Sequence, residues 1–346
     1  MRYTCVVLAL PLAVASVSMA MAADEITQEQ FEARHSGAAV SDVNAKIDFG
    51  YYSADFGNDG DPLAEFDSAH GTYVQGAVSI PVGNMFGLQI DAGSMNVDVN
   101  GANGFQDFGV QASGVAGHFF WRDPSMGLLG VYGHHVSYEF DNGPNDKIEN
   151  TRIGVEAEAY LGNFTLKGFA GQDHLDWDFV SNDEKFWTGS GEINYYINDN
   201  FMLTAGVDHS FETTSASVGV EAFADMGGFS PSLYANAKFS GDDRTIMAGL
   251  RIYLGRTAKT LKARHREDDP EINLFDNFAQ IGTCLNNALS GGPSSMPIYT
   301  GKSYSPPSSG FTSNIGPVMT PDNELDGCNL DTTFSVQPLP PPPPPD

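Results

Sequence analysis

From Val43 to Leu254 the chain alternates apolar and polar residues with a period of two, the period of a strand whose side chains point to opposite faces. VNAKIDFGYY opens the series. Val43, Ala45, Ile47, Phe49 and Tyr51 share one face, and Asn44, Lys46, Asp48 and Gly50 share the other. The pattern predicts about twelve strands. Their apolar positions include Val74–Val82, Phe86–Ala92, Thr151–Leu161, Phe164–Ala170, Trp187–Ile197, Phe201–Val207, Val218–Ala222, Leu233–Phe239 and Ile246–Leu254. In the fourth strand Val110 and Ala112 belong to the apolar series, but the phase becomes unclear near Val115. In the fifth, Leu128–Phe140, it is uncertain at the start.

The connections alternate in length. Short ones lie at Gly83, Pro124, Gly162-Asn163, Asn198–Asn200 and Met226–Gly228. Longer, mostly acidic ones run Phe56–His70, Asp98–Asp107, Asp141–Glu149 and Asp173–Glu184. Tight turns rich in Gly, Asn, Asp and Pro are hairpin chemistry. Short turns at one end and long loops at the other are the layout of a transmembrane up-and-down β-barrel. A soluble sandwich would alternate as well, but would leave two sheet edges exposed. In the barrel reading the apolar face meets lipid and the polar face lines the lumen. The lumen then holds Lys46, Asp48, Asp91, Glu139, Arg152, Glu156, Glu158, Lys167, Glu192, Asp208, Glu221, Lys238 and Arg251.

The flanks differ from this core. MRYTCVVLALPLAVASVSMAMA, residues 1–22, has one basic residue, a short apolar run and small residues before the expected cut, the form of a secretory signal peptide. Residues 23–42 form a polar N-terminal segment, expected in the periplasm. After the barrel, residues 43–254, residues 255–346 are expected to form a periplasmic tail. Asp269 as cap, Pro270 in the first turn and a stripe of Leu274, Phe278, Ile281 and Leu285 predict one helix there. A Gly/Ser/Pro-rich stretch and QPLPPPPPPD follow, the composition of an extended polyproline II rod. Export leaves two cysteines, Cys284 and Cys328, in an oxidising compartment. Pairing between them is the expectation, with free thiols in a loose tail as the alternative.

The formal charge of −27 argues against nucleic acid as a partner. The partners expected instead are outer-membrane lipid and lipopolysaccharide, the outer-membrane insertion machinery, and small solutes or cations. The oligomeric state is left open, and no cofactor or metal is expected. His135-Val136-Ser137 could supply a nucleophile and base. Its parity, however, sets both side chains on the lumen face with Glu139, and a lipid hydrolase needs them outside. The acidic loop Asp55–Asp67 lacks the spacing of a calcium loop, and Asp173-His174-Asp176-Asp178 reads as solvated surface.

GHFFWRDPSMGLLGVYG (Gly117–Gly133) and RIGVEAEAYLGNFTLKGFAGQ (Arg152–Gln172) resemble uncharacterised porin-like outer-membrane barrels of Gram-negative bacteria. The resemblance spans about Val43–Pro270 and implies architecture more than activity. The last strand, with Gly249, Ile252 and Leu254, resembles the signal read by the insertion machinery, although Met247 stands where a polar residue is usual. The expected function is a passive channel for small solutes. Eight acids against five bases in the predicted lumen give it a cation preference. The alternative is a barrel filled by its own side chains and serving as an anchor or structural surface protein.

Overall fold

The computed structural model describes residues 37–56, 66–102, 106–141, 147–177, 184–224, 230–254, 259–290, 319–326 and 328–336. The expected signal peptide, the acidic tip of the first long loop and the proline run lie outside these residues.

Twelve antiparallel strands close into a barrel in sequence order, with β1 paired to β12. They are β1 (Asn44–Asp55), β2 (Phe66–Val82), β3 (Phe86–Gly101), β4 (Phe108–Asp123), β5 (Gly127–Phe140), β6 (Lys147–Leu161), β7 (Phe164–Trp177), β8 (Glu184–Asn198), β9 (Phe201–Ser210), β10 (Thr213–Phe223), β11 (Ser230–Ser240) and β12 (Asp243–Leu254). Closure pairs the backbone of every strand on both sides, the condition for crossing hydrocarbon with strands. Short turns such as Gly83 and Gly162, both with positive φ, lie at the end where β1 starts and β12 finishes, here the turn mouth. The opposite end is the loop mouth.

The strands are of unequal height. β2 to β8 have 14–17 residues, whereas β9 to β12 have 10–12. A tilted transmembrane strand needs only about 9–11 residues. The extra length of the tall wall forms a second storey, and its polarity is reversed. In the storey next to the turn mouth the outer face carries exposed Phe49, Val78, Ile90, Val115, Leu129, Val155, Leu203 and Val218, and the inner face carries buried Asp48, Gln89, Asp91, His118, Glu221 and Arg251. In the storey next to the loop mouth the outer face turns polar, with Asn96, Asp98, Gln111 and Glu139 exposed. The inner face there is apolar: Tyr52, Met95, Val97, Val110, Ala112, Val136, Tyr138, Ile148, Leu175 and Phe186 are all buried in one cluster. The lower storey suits lipid outside and the upper one water outside, around a dry interior.

This reversal explains the lost phase in β4. Val110 and Ala112 face inward and Val115 faces outward, with Ser113 and Gly114 at the change. It also corrects β5. His134, Val136 and Tyr138 point inward, so His135, Ser137 and Glu139 lie on the outer side.

Past β12, α1 (Leu261–Glu267) lies across the turn mouth. Thr260 caps it, its hydroxyl accepting from the Ala263 N–H at 3.3 Å. Lys262 pairs with Asp199 at 2.7 Å, and Asn200 accepts from the Leu261 N–H. Arg264 stacks over Phe223 and Tyr253, and Arg266 over Tyr160 and Tyr196. Beside them the N-terminal residues Ala39–Ser41 bond to Asn84 and Glu267. Among the described residues no helix is long and apolar enough to cross a membrane.

The reversed storeys make a sharp prediction about position on one face. Ala157→Arg, in the apolar belt, should cost about 2–4 kcal/mol and cripple insertion. Gln111→Arg, also outward but in the upper storey, should insert like the parent. The ratio of folded to unfolded protein in membrane fractions, read by the gel shift of unheated samples, measures both. Equal behaviour of the two variants would contradict the storey assignment.

Candidate functional site

The expected helix from Asp269 onward is not formed, and the segment expected to hang below the barrel enters it. Asp269–Asn277 is non-helical, and α2 (Phe278–Ser290) begins only afterwards. The wall supplies the reason. Lys46 and Gln89 both donate to the carbonyl of Pro270, Tyr132 OH to that of Asn273 at 3.5 Å, and Lys238 Nζ to that of Asp276 at 3.0 Å. A helix would have spent those carbonyls on its own N–H groups. Asp269–Asn273 has no regular structure, and Leu274–Asn277 bends and turns into α2.

The lumen-facing charges are met by one another and by this inserted segment. Arg251 makes a two-pronged contact with Asp48, at 2.8 and 2.9 Å, and reaches Glu221 at 3.1 Å. Ser232 and Tyr253 hydroxyls donate to the other oxygen of Glu221. His118 sits between Asp91 at 3.1 Å and Glu156 at 3.0 Å. Arg152 grips Asp173 with two bonds of 2.8 and 2.7 Å. Lys167 bridges Glu192 on the wall, at 3.1 Å, and Glu271 on the inserted segment, at 2.5 Å. Lys238 pairs with Asp208 at 3.3 Å, and Gln280 donates to the same carboxylate. Glu158 accepts from Tyr160 OH at 2.8 Å. Lys46 lies 4.0 Å from Asp269.

Twelve of the predicted lumen charges therefore do face inward. Glu139 does not. It is exposed on the outer side of the upper storey, opposite Gln111 and Lys147 in register, because the polarity reversal sends Tyr138 inward in its place. Sequence reasoning missed the partners Asp269, Glu271, Asp276 and Gln280, which stand on what read as a tail. The signal for them was an acidic, Pro-containing start to the supposed helix.

In the upper storey the segment becomes apolar with the wall. Leu274, Phe275, Phe278, Ile281, Cys284 and Leu285 are buried in the same cluster as the wall residues. Phe278 meets the Tyr52 ring edge-on at 5.4 Å and stacks on Tyr138 at 5.5 Å. Lower in the barrel, Gly50 and Gly249 face each other in register, and the Tyr73 and Tyr234 rings lie over them, their hydroxyls 2.6 Å apart. A side chain at either glycine would collide with those rings. Beside the segment a cavity of about 180 Å³ remains, lined by Glu158, Ser190, Asp208, Asn277 and Gln280 among others.

The other candidates do not assemble. His135 and Ser137 do face outward, but the Ser137 hydroxyl is occluded and has no hydrogen bond, and His135 bonds Thr151 instead, at 2.9 Å. No nucleophile–base pair results. Asp173 is consumed by Arg152, and among the described residues no group of acids, histidines or cysteines is placed to hold a metal. Cys284 and Cys328 are joined in a disulfide, with Cα atoms 4.9 Å apart.

No family model matches the chain, and no curated protein matches it. Among solved structures it is similar to the translocator domain of autotransporter NalP from Neisseria meningitidis, at 11% identity over 62% of this chain and 88% of that one, with a TM-score of 0.47. It is also similar to the beta domain of the Bordetella autotransporter BrkA, at 9% identity over 61% and 99%, with a TM-score of 0.41. The KdgM porin matches at 11% identity over 60% and 98%, with a TM-score of 0.39. At these identities and scores neither activity nor cargo passes from those proteins to this one.

The buried Arg251 cluster has a testable cost. Arg251→Ala leaves Asp48 and Glu221 buried without their cation and should destabilise the barrel by about 3–5 kcal/mol. The triple change Asp48→Leu, Glu221→Leu, Arg251→Met should recover most of that loss. Urea unfolding in lipid vesicles compares the three proteins, and a neutral Arg251→Ala would show that the cluster carries no such load.

Proposed function

We propose that this protein is an outer-membrane barrel of a Gram-negative bacterium that is closed by its own chain and serves as an anchor, holding its C-terminal region in a fixed place at the membrane. The carrying observation is the passage of Asp269–Asn286 through the lumen, bonded to side chains of β1, β3, β5, β7, β9, β10, β11 and β12. Bonds to eight of the twelve strands set the segment across the path a solute would take. The apolar belt takes up membrane lipid, and the polar outer surface above it suits lipopolysaccharide headgroups. The last strand is the element offered to the insertion machinery.

The passive, cation-preferring channel is the second reading, favoured by the residual cavity and the acidic lumen. The acids that would set its preference are engaged with Arg251, His118, Lys167 and Lys238. In this reading, conduction requires the inserted segment to leave. No catalytic role is proposed.

Planar-bilayer recording separates the two. The full chain should show no steady conductance. A chain ending at Asp268, which keeps α1 and the whole barrel, should conduct and favour potassium over chloride under a KCl gradient. A steady open channel in the full chain would overturn the closed-anchor reading, whatever the shortened chain does.

A further inference from the structure

We infer that the chain crosses the membrane a thirteenth time, through its own lumen, so that a hairpin of β13 (Met319–Asp326) and β14 (Asn329–Val336) stands outside the cell, clasped there by the Cys284–Cys328 bond. This rests on the closed-barrel reading above and adds a direction, an exit and a lock to it.

The direction comes from the order of contacts. Asp268 accepts from Ser41 at the turn mouth, at 2.9 Å. Pro270 meets Lys46, Glu271 meets Lys167 and Asp276 meets Lys238 inside the charged storey. Gln280 then meets Ser215, just past the β9–β10 turn, at 3.2 Å. Thr283 donates to Asp243 at 2.8 Å, and Asn286 accepts from the Phe66 N–H at 3.4 Å. Asp243 opens β12 and Phe66 opens β2, both at the loop mouth. The climb is monotonic: each residue further along the segment meets the wall nearer the loop mouth.

The exit has its own receptor. β13 (Met319–Asp326) and β14 (Asn329–Val336) form a two-stranded hairpin. At its turn the Cys328 N–H donates to Glu212 at 3.1 Å, and Cys328 Sγ lies 3.2 Å from the Phe211 carbonyl. Phe211 and Glu212 are the turn between β9 and β10, with φ of 49° and 58°. Two left-handed residues make the turn that hairpins prefer, but that turn normally takes Asn and Gly; a Phe-Glu pair is held there against its preference. Phe211 is buried against Phe186, 5.1 Å away, and its neighbour's carboxylate receives the hairpin. A strained turn, with Phe211 buried and Glu212 bonded to the segment it faces, is a built contact.

The side follows from the barrel. Short turns face the periplasm and longer loops face outward in barrels of this kind. The upper storey supports the same assignment, because a polar exterior around a dry interior is what protrudes from the membrane into water. The disulfide joins α2 within the loop mouth to the hairpin above it, bridging 44 positions of sequence, so the segment cannot slip back while the bond stands.

The test uses the full chain in intact cells. A recognition site for a sequence-specific protease is inserted between Gly291 and Gly292, and epitopes are placed before Asp24 and after Asp346. Protease added outside should cut the protein without permeabilisation. The C-terminal fragment should stay on the cells and be released by dithiothreitol, which reduces the disulfide to two thiols and is itself oxidised to its cyclic disulfide. Antibody should reach the C-terminal epitope on intact cells and the N-terminal one only after permeabilisation. Cutting and C-terminal labelling that both require permeabilisation would overturn the inference. Should the inserted site resist the protease even in detergent, the epitope result alone decides. Release of the fragment without reductant would overturn the clasp. A conducting full chain with an exposed C-terminal epitope would sink the closed-barrel reading and leave the crossing intact.

Discussion

On a closed barrel every second side chain must point into a space about as wide as two or three side chains, and it cannot leave. Lipid outside demands that the remaining side chains be apolar, so the inward ones in the membrane storey are those the sequence can make polar. Each buried charge there costs several kcal/mol unless it is paired. The wall pairs some of its own, as Asp48, Arg251 and Glu221 do. For Lys46, Lys167 and Lys238 the remaining bonding capacity is met by carbonyls and a carboxylate of the chain that follows β12. The inserted segment is thus part of the solution to the burial problem, and not an object lodged in a finished tube.

The same demand explains why that segment changes character halfway. Where lipid surrounds the barrel the lumen is polar, and the segment is non-helical, with its backbone given to the wall. Where water surrounds the barrel the wall's interior is apolar, and the segment becomes a helix that buries Ile281 and Leu285 in that interior and sets Phe278 against Tyr52 and Tyr138. A helix satisfies its own backbone groups and so suits a dry surrounding. One chain therefore changes conformation at the level where the wall changes polarity.

Most of the barrel was legible from alternation alone: its closure, its strand order, its outward face near the turn mouth and twelve inward charges. Period two reports that two faces differ, but not which medium lies beyond each. Wherever the medium changes along a strand, the apolar residues change sides, as Val110 and Val115 do, and a single-phase reading fails. Glu139 was misplaced for that reason. The fate of Asp269–Asn277 was hidden for another. Asp269, Pro270 and Glu271 are good helix-start residues, and only the donors of distant strands, converging on the same carbonyls, hold them out of a helix. No local pattern carries that information. The pairing of Cys284 with Cys328 was legible from compartment and count, whereas the contact with the Phe211–Glu212 turn was not.

The central claim is that Asp269–Asn286 occupies the lumen, and it can be read at one residue. Phe275 is buried among inward residues of the wall and lies beside Gly93 of β3. A photoreactive benzoylphenylalanine at position 275, activated in native membranes, should form an intramolecular crosslink that mass spectrometry maps to the β2–β3 hairpin. Crosslinks to other proteins, with none to the barrel wall, would place the segment outside and contradict the account.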